Sequence, residues 1–339
     1  MKMTLSQRIR LLTKLGAYMQ ADSPGWLAAK EQAFRNNGWF LPEFIDRSVH
    51  NIVTAFLQEP LLKTWAGSYA LPEAGNPAPK LVGVVMAGNI PLVGFHDLLC
   101  VFISGHRCLI KASSKDEALI RHLVTQMTAW EPEVAEWIRF STLLKGCDAY
   151  IATGSDNTAG YFDYYFAPYP HLIRRNRTSV ALLTGKETET ELAALADDVH
   201  LYFGMGCRNV TKIFVPEQYS FEPLLQAFRK YDYLADVHKY KNNYDYNLAL
   251  CLLNNRFYMS TAALLLVEEQ ALFSPVSQLN YGFYGNKANL VGELVNNPSV
   301  QCMIGHDCIP FGQAQSPAID QYADGEDTLA FLNSLNPAV

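Results

Sequence analysis

Residues 81–89 read LVGVVMAGN, a short apolar run that ends in glycine and asparagine. Two similar runs follow, CLIKASS at 108–114 and DAYIATGS at 148–155, with helix-length segments at 91–104 and 115–130 between them. Short apolar runs alternating with helices predict parallel strands buried on both faces by their own crossovers. In such sheets ligands bind beyond the carboxyl ends of the strands, which is where Asn89, Lys111 and the Gly154–Ser155 pair would stand.

Outward from this core, residues 1–70 read as helical, and the turn-rich LPEAGNPAPK at 71–80 closes that region. The first segment carries basic residues and no acid before Asp22, as a transit peptide would. Leu5, Ile9, Leu12, Leu15 and Met19, spaced three or four apart behind Thr4, fit an amphipathic surface helix better. A second α/β unit begins near TSVALLTG at 178–185. Thr188 and Glu191 make a capping box, and Leu192, Leu195, Val199 and Phe203 continue at helical spacing toward the strand TKIFV at 211–215. Further strand-like and helix-like segments run to SVQCMIG at 299–305, and the chain from Pro310 is too polar for a third core. The expected domains are residues 1–177, helices plus a dinucleotide-binding domain; 178–309, a domain built around a cysteine; and 310–339, a tail packing back on the body.

Composition narrows the function classes. The 339 residues are 49% hydrophobic and 18% charged, with a formal charge of -6, so no basic footprint for nucleic acid or an anionic membrane is present. The most apolar region, 81–110, is interrupted by Asn89, Pro91, His96 and Asp97, which argues against a membrane span. The seven cysteines are odd in number and scattered, which fits reduced thiols in a cytoplasm.

One of those thiols stands apart. In YFGMGCRNVTKIFVP, residues 202–216, Cys207 follows a glycine and precedes Arg208 and Asn209 instead of sitting in an apolar run. Glycine lets a ligand approach the backbone, and a nearby cation favours thiolate over thiol. In IATGSDNTAGYF, Thr153, Gly154 and Ser155 lie between a strand and a helix, where backbone N–H groups and the helix dipole favour a diphosphate or simply make a capped turn. Read singly, Lys111 is a strand-end lysine and Asn89 a turn residue. CMIGHDC at 302–308 has no second half with zinc-site spacing, and RRNR at 174–177 reads as a solvated basic loop.

Their order along the chain is more telling. Gly-Asn-x-Pro, Lys-x-Ser, Thr-Gly-Ser, Gly-x-Gly-Cys and then LFSPV at 272–276 make a series that resembles the aldehyde dehydrogenase superfamily. The chain is similar, more specifically, to the fatty acyl-CoA reductases that supply aldehyde to bacterial luciferases. The likeness runs from about residue 80 to the PFG at 310–312, and YADGEDTLAFL at 322–332 resembles the ending of the shorter bacterial members. It implies an aldehyde-dehydrogenase-like α/β fold, two Rossmann-like domains behind an N-terminal helical region. By the same resemblance Cys207 is the nucleophile and Asn89 the oxyanion donor. Lys111 and Ser113 lie at the adenosine ribose, Thr153, Gly154 and Ser155 beneath the diphosphate, and Phe273 near the nicotinamide. No metal is implied.

Two departures from the family bear on the reaction. Hydrolytic aldehyde dehydrogenases carry a glutamate before the nucleophile to activate water, whereas residues 164–186 here contain no Asp or Glu. The glutamate that holds the nicotinamide ribose is replaced by Gln270 and Ala271. Without a base for water, the thioester on Cys207 is expected to exchange with another thiol. The expected reaction is therefore NADPH-dependent reduction of an acyl-CoA or acyl carrier protein thioester to an aldehyde. NADPH is preferred over NADH because Lys111 and Lys115 could meet a 2′-phosphate and because the similar reductases use it. Two alternatives stand beside it: an NAD(P)-dependent aldehyde dehydrogenase using Glu268 or Glu269 as base, and a non-catalytic acyl-carrier-binding subunit. A homo-oligomer or an acyl-synthetase partner is compatible with each reading.

Overall fold

The chain starts its first helix where the sequence caps it. Thr4 Oγ1 accepts from the Gln7 N–H and Gln7 Oε1 accepts from the Thr4 N–H, a reciprocal cap at the head of α1 (Leu5–Gln20). A computed structural model describes residues 3–154 and 156–336. The chain divides into two units, one drawn from residues 1–176 and 317–339, the other from residues 177–316.

In the first unit α1 is followed by α2 (Pro24–Asn36), α3 (Pro42–Phe56) and α4 (Glu59–Ser68). Then come β1 (Leu81–Val85), α5 (Phe95–Ile103), β2 (Arg107–Lys111), α6 (Glu117–Trp130), the short α7 (Val134–Trp137), β3 (Ile138–Phe140), β4 (Ala149–Thr153), α8 (Asp156–Phe166) and β5 (His171–Arg174). The five strands are all parallel in the order β3-β2-β1-β4-β5. The N-terminal helices are not a separate body. Leu15, Trp26, Phe40 and Ile45 share one continuous core with Val82 and Val84 of β1, Ile110 of β2, and Leu329 and Leu332 near the C-terminus. Each such side chain contributes roughly 1.5–3 kcal/mol of burial.

The segment after Pro317 is stitched onto this unit by named polar bonds. His96 Nε2 donates to the Ile319 carbonyl at 2.9 Å, His106 Nε2 to the Leu332 carbonyl at 3.0 Å, and Trp65 Nε1 to the Tyr322 hydroxyl at 2.8 Å. Arg174, expected in a solvated basic loop, is only 5% exposed. It closes β5, donates through Nη1 to both carboxylate oxygens of Asp97 at 2.7 and 2.6 Å, and through Nη2 to Thr328 at 2.7 Å. A buried arginine needs such partners, and the sequence places them 77 and 154 residues away.

The second unit contains β6 (Thr178–Leu182), α9 (Glu189–His200), β7 (Val210–Pro216), α10 (Glu222–Phe228), α11 (His238–Leu253), β8 (Tyr258–Ser260), β9 (Leu265–Glu268), β10 (Gln278–Tyr284), α12 (Lys287–Val295) and β11 (Val300–Ile304). Its sheet runs β11-β6-β7-β10-β9-β8, parallel except for the antiparallel edge strand β8. Thr188 and Glu191 form the predicted capping box at the head of α9. Among the described residues no helix is long and apolar enough to cross a membrane.

Candidate active site

In the first unit the strand order reverses between β1 and β4, because β2 and β3 lie on one side and β4 and β5 on the other. That reversal opens a crevice at the carboxyl ends of the strands. Val85, Lys111 and Ala152 stand level in the ladders, so Asn89, Lys111, Ser113, Thr153 and Gly154 all reach the carboxyl edge. Ser155 lies outside the described residues.

Close packing explains two of the glycines there. A Cβ on Gly88 would lie 2.6 Å from Ser113 Cβ, so the loops after β1 and β2 touch through a position that admits no side chain. A Cβ on Gly154 would lie 3.1 Å from Thr158 and Phe162 of α8. The Gly154 N–H is already committed, donating to the Arg174 carbonyl at 3.3 Å, so an anion at this turn would draw on amides farther into α8. Ser113 Oγ accepts from the Lys115 N–H at 3.3 Å and shapes the turn into α6. Lys111, Ser114 and Lys115 are exposed, while the next two carboxyls are occupied: Asp116 is buried and Glu117 is paired with Arg121 at 2.5 Å. A switch point, a glycine at 88 that leaves no room for a side chain, a tightly packed Gly154 and a helix starting at Asp156 fit a dinucleotide.

Asn89 is half-buried in the segment between β1 and α5. The same segment contains Leu92 with φ 56°, a left-handed conformation unfavourable for a residue with a Cβ. A side chain from a neighbouring helix holds it: Ser48 of α3 donates to the Pro91 carbonyl at 2.7 Å.

Cys207 lies in the second unit and at the opposite end of its sheet, just ahead of the first residue of β7. Between α9 and the cysteine, Tyr202, Phe203 and Gly204 are left-handed in succession, with φ 56°, 59° and 72°. Asn209 gathers this turn. Its Oδ1 accepts from the Gly206 N–H at 2.8 Å, and its Nδ2 donates to the carbonyls of Asp198 at 3.0 Å and Leu201 at 2.8 Å. Ser179 at the start of β6 donates to the Cys207 carbonyl at 3.0 Å, and its Oγ lies 3.0 Å from Cys302 Sγ. Cys207 itself is half-buried, and Arg208 reaches the Ala314 carbonyl at 3.4 Å. Burial pushes the Cys302 thiol up, with Ser179 and Arg208 opposing it.

Phe273 comes to the same amino edge, in the segment that leads into β10. The carbonyls of that segment are met by side chains: Leu272 by Thr211 at 2.7 Å, Ala271 and Phe273 by Asn280 at 2.9 and 3.0 Å, Val276 by Asn247 at 2.9 Å, and Glu269 by Lys212. Lys212 is almost fully buried, and desolvation lowers its pKa. The ring of Phe273 is left 39% exposed on this fixed segment.

Three carboxyls of this unit, Asp198, Glu268 and Glu269, are engaged or set back from the amino edge. Asp198 is fully buried; burial raises its carboxyl to about 7, against the N–H bonds from Gly312 at 2.6 Å and Ala314 at 3.0 Å that occupy its two oxygens. Glu268 is level with Tyr281 and Ile213, well along the ladder from the amino edge, and Glu269 is tied to Arg256 at 2.9 Å.

No family model and no curated protein matches the chain. Solved structures do. It is similar to aldehyde dehydrogenase 21 from Physcomitrella patens in complex with the reaction product succinate, with TM-score 0.68 and 10% identity over 98% of this chain and 85% of that one. This chain has the aldehyde dehydrogenase fold. The NAD+ complex of an aldehyde dehydrogenase from Bacillus cereus aligns with TM-score 0.59 and 14% identity over 89% of this chain and 72% of that one. An NAD-dependent aldehyde dehydrogenase from Sinorhizobium meliloti gives TM-score 0.62 and 10% identity over 89% and 70%. The expected fold is found; at these identities the likeness concerns the fold alone.

Sequence reasoning missed the residues that hold the loops. For Asn209 the signal available in the sequence is its position two residues beyond Cys207. Ser48 and Ser179 carry no local mark, since they act on backbone 43 and 28 residues away.

Proposed function

We propose that the chain reduces acyl thioesters, of CoA or acyl carrier protein, to aldehydes with NADPH, through a thioester on Cys207. The observation that carries this reading is the chemistry around the thiol. A half-buried cysteine is held on an organised loop, while Asp198 is sealed against two backbone N–H groups and Glu269 is tied to Arg256. With those two carboxyls engaged, thiol exchange or reduction of a thioester formed there is favoured over attack by water.

The Cys207 thiolate attacks the thioester carbonyl, forming a new C–S bond and expelling the carrier as its thiolate. Asn89 is assigned to hydrogen-bond the oxyanion at each tetrahedral stage, an effect of roughly 3 kcal/mol per donor. A reduced nicotinamide, when bound, supplies the hydride. Cys207 then leaves from the resulting thiohemiacetal, the hydroxyl loses its proton, and the aldehyde is released with the thiol restored. Lys111, Ser113, Thr153 and Gly154 are assigned to the dinucleotide, with Ser155 carried over from the sequence, and Phe273 to the nicotinamide side. The exposed Lys111 and Lys115, beside carboxyls already buried or paired, favour a 2′-phosphate over a bare ribose diol.

The test is a panel of acyl-CoA esters supplied with NADPH and NADH in separate arms. Free aldehyde with stoichiometric CoA release, faster with NADPH, is expected. Free acid formed from aldehyde and NAD(P)+ without CoA would favour aldehyde oxidation instead. Failure of Cys207 to alkylate selectively at neutral pH would favour a non-catalytic subunit.

A further inference from the structure

Both ladders that flank β6 slip at Ser179. On one side Thr178 faces Val300 and Val180 faces Met303, so Ser179 stands opposite two residues of β11. On the other, Ser179 faces Val210 and Val180 faces Lys212, so β7 carries an extra residue at the same place. Such bulges re-aim side chains, and parallel ladders rarely contain them. Between the two slips the fully buried serine donates its hydroxyl to the Cys207 carbonyl at 3.0 Å. Its backbone is tied to the same loop, the Ser179 N–H donating to the Asn209 carbonyl at 3.1 Å.

Counting protons assigns the donors. A serine hydroxyl has one to give, and a carbonyl can only accept. The Ser179 proton therefore goes to Cys207, and the 3.0 Å contact between Ser179 Oγ and Cys302 Sγ is made by the Cys302 S–H. Burial, which keeps that thiol protonated, agrees with this direction. Two planar peptides meet at the Cys207 Cα, with only two soft dihedrals between them. The Asn209 N–H holds the first plane through the Gly206 carbonyl at 3.0 Å, and Ser179 holds the second through the Cys207 carbonyl. With both planes held, the direction in which Cys207 projects is set.

We infer that Ser179 is a positioning residue for Cys207: oriented by the Cys302 thiol, its hydroxyl pins the peptide that follows the nucleophile and so aims the sulfur. The inference deepens the proposed function and rests on the reading of Cys207 as nucleophile. Ser179 acts through backbone, and Cys302 acts through Ser179. What position 302 needs is a hydrogen-bond donor, so serine can replace the cysteine and alanine cannot.

Four variants of the full chain test this by acyl-CoA reduction, by alkylation of Cys207 with iodoacetamide and by infrared spectroscopy of the S–H stretch. Ser179→Ala is expected to lower kcat on the order of 10- to 100-fold, the scale of a reacting group misplaced by about 1 Å, with KM and NADPH affinity unchanged. Cys302→Ala should lose a smaller factor, and Cys302→Ser should keep near wild-type kcat. Added to Ser179→Ala, Cys302→Ala should cost nothing more. Alkylation of Cys207 should slow in Ser179→Ala and keep its wild-type rate in Cys302→Ser. The S–H band that vanishes in Cys302→Ala should lie at lower frequency in wild type than in Ser179→Ala, where its acceptor is gone. Should Ser179→Ala fail to fold, the comparison of serine with alanine at position 302 decides. Additive losses, a Cys302→Ser variant as slow as Cys302→Ala, an unchanged alkylation rate in Ser179→Ala, or an S–H band that Ser179→Ala does not move would overturn the inference. A wild type that alkylates at Cys207 yet reduces no acyl thioester would instead refute the proposed function. The alkylation rates and the S–H band would then still decide whether Ser179 aims the thiol.

Discussion

The Asn89 loop and the Cys207 loop are both bent into left-handed backbone, and they are held there in different ways. Leu92 is a single left-handed residue, and the Pro91 carbonyl before it is held by Ser48 from a helix distant in sequence. Tyr202, Phe203 and Gly204 are three in succession, gathered by Asn209 from within the same short stretch. The sheets differ in parallel: the first unit brings its candidates to the carboxyl ends of its strands, the second brings Cys207 and Phe273 to the amino end. The contrast teaches that a carboxyl-edge rule finds a dinucleotide crevice but says nothing of where a nucleophile sits. The left-handed turn costs on the order of 1–2 kcal/mol per residue with a Cβ, a cost that Asn209 and burial of Tyr202 and Phe203 offset.

The sharpest way to break this division of labour is Cys207→Ala. Acylation and reduction should fall by on the order of 10⁴-fold or more, while calorimetric NADPH affinity stays as in wild type. A lost dinucleotide affinity would mean that the two loops do not have separate tasks. Next in size is Asp97→Ala, which strands the Arg174 guanidinium without its carboxylate. It should cost about 3–5 kcal/mol in denaturant unfolding and leave the alkylation rate of Cys207 in the folded protein unchanged. Asn209→Ala removes the acceptor for Gly206 and the donor for Leu201. A loss of about 2–3 kcal/mol with slower Cys207 alkylation is expected, and an unchanged alkylation rate would show that the loop does not depend on it.

The last effect is on pH dependence. Asp198 holds its proton to about 7 when folded because burial raises its carboxyl, and to about 4 when unfolded. Between those values the folded state binds more protons, so stability is fully present below the lower value and declines as pH rises through the upper one. Melting temperature should therefore fall across that window in wild type and fall less steeply in Asp198→Asn.

What was legible in the sequence follows from range. The strands around Val82 and Ile151 are buried on both faces and, with the strand around Ile110, read as apolar runs, so the sheet and its crevice were visible. The edge strands at Ile138–Phe140 and His171–Arg174 are only 3 and 4 residues long, too short for any period to show. Arg174 looked solvated because the partner that buries it, Asp97, sits on α5. Thr188 and Glu191 were legible as a cap because cap and partner lie within one turn. Ser48 was not, because the Pro91 carbonyl it serves is on another loop.

The most direct test is intact-protein and peptide mass spectrometry after mixing the chain with an acyl-CoA, before and after adding NADPH. The account predicts a single acyl adduct located on Cys207, accompanied by free CoA, which disappears on addition of NADPH as aldehyde accumulates. An adduct on a different cysteine, or one on Cys207 that decays to free acid and yields no aldehyde, would contradict it.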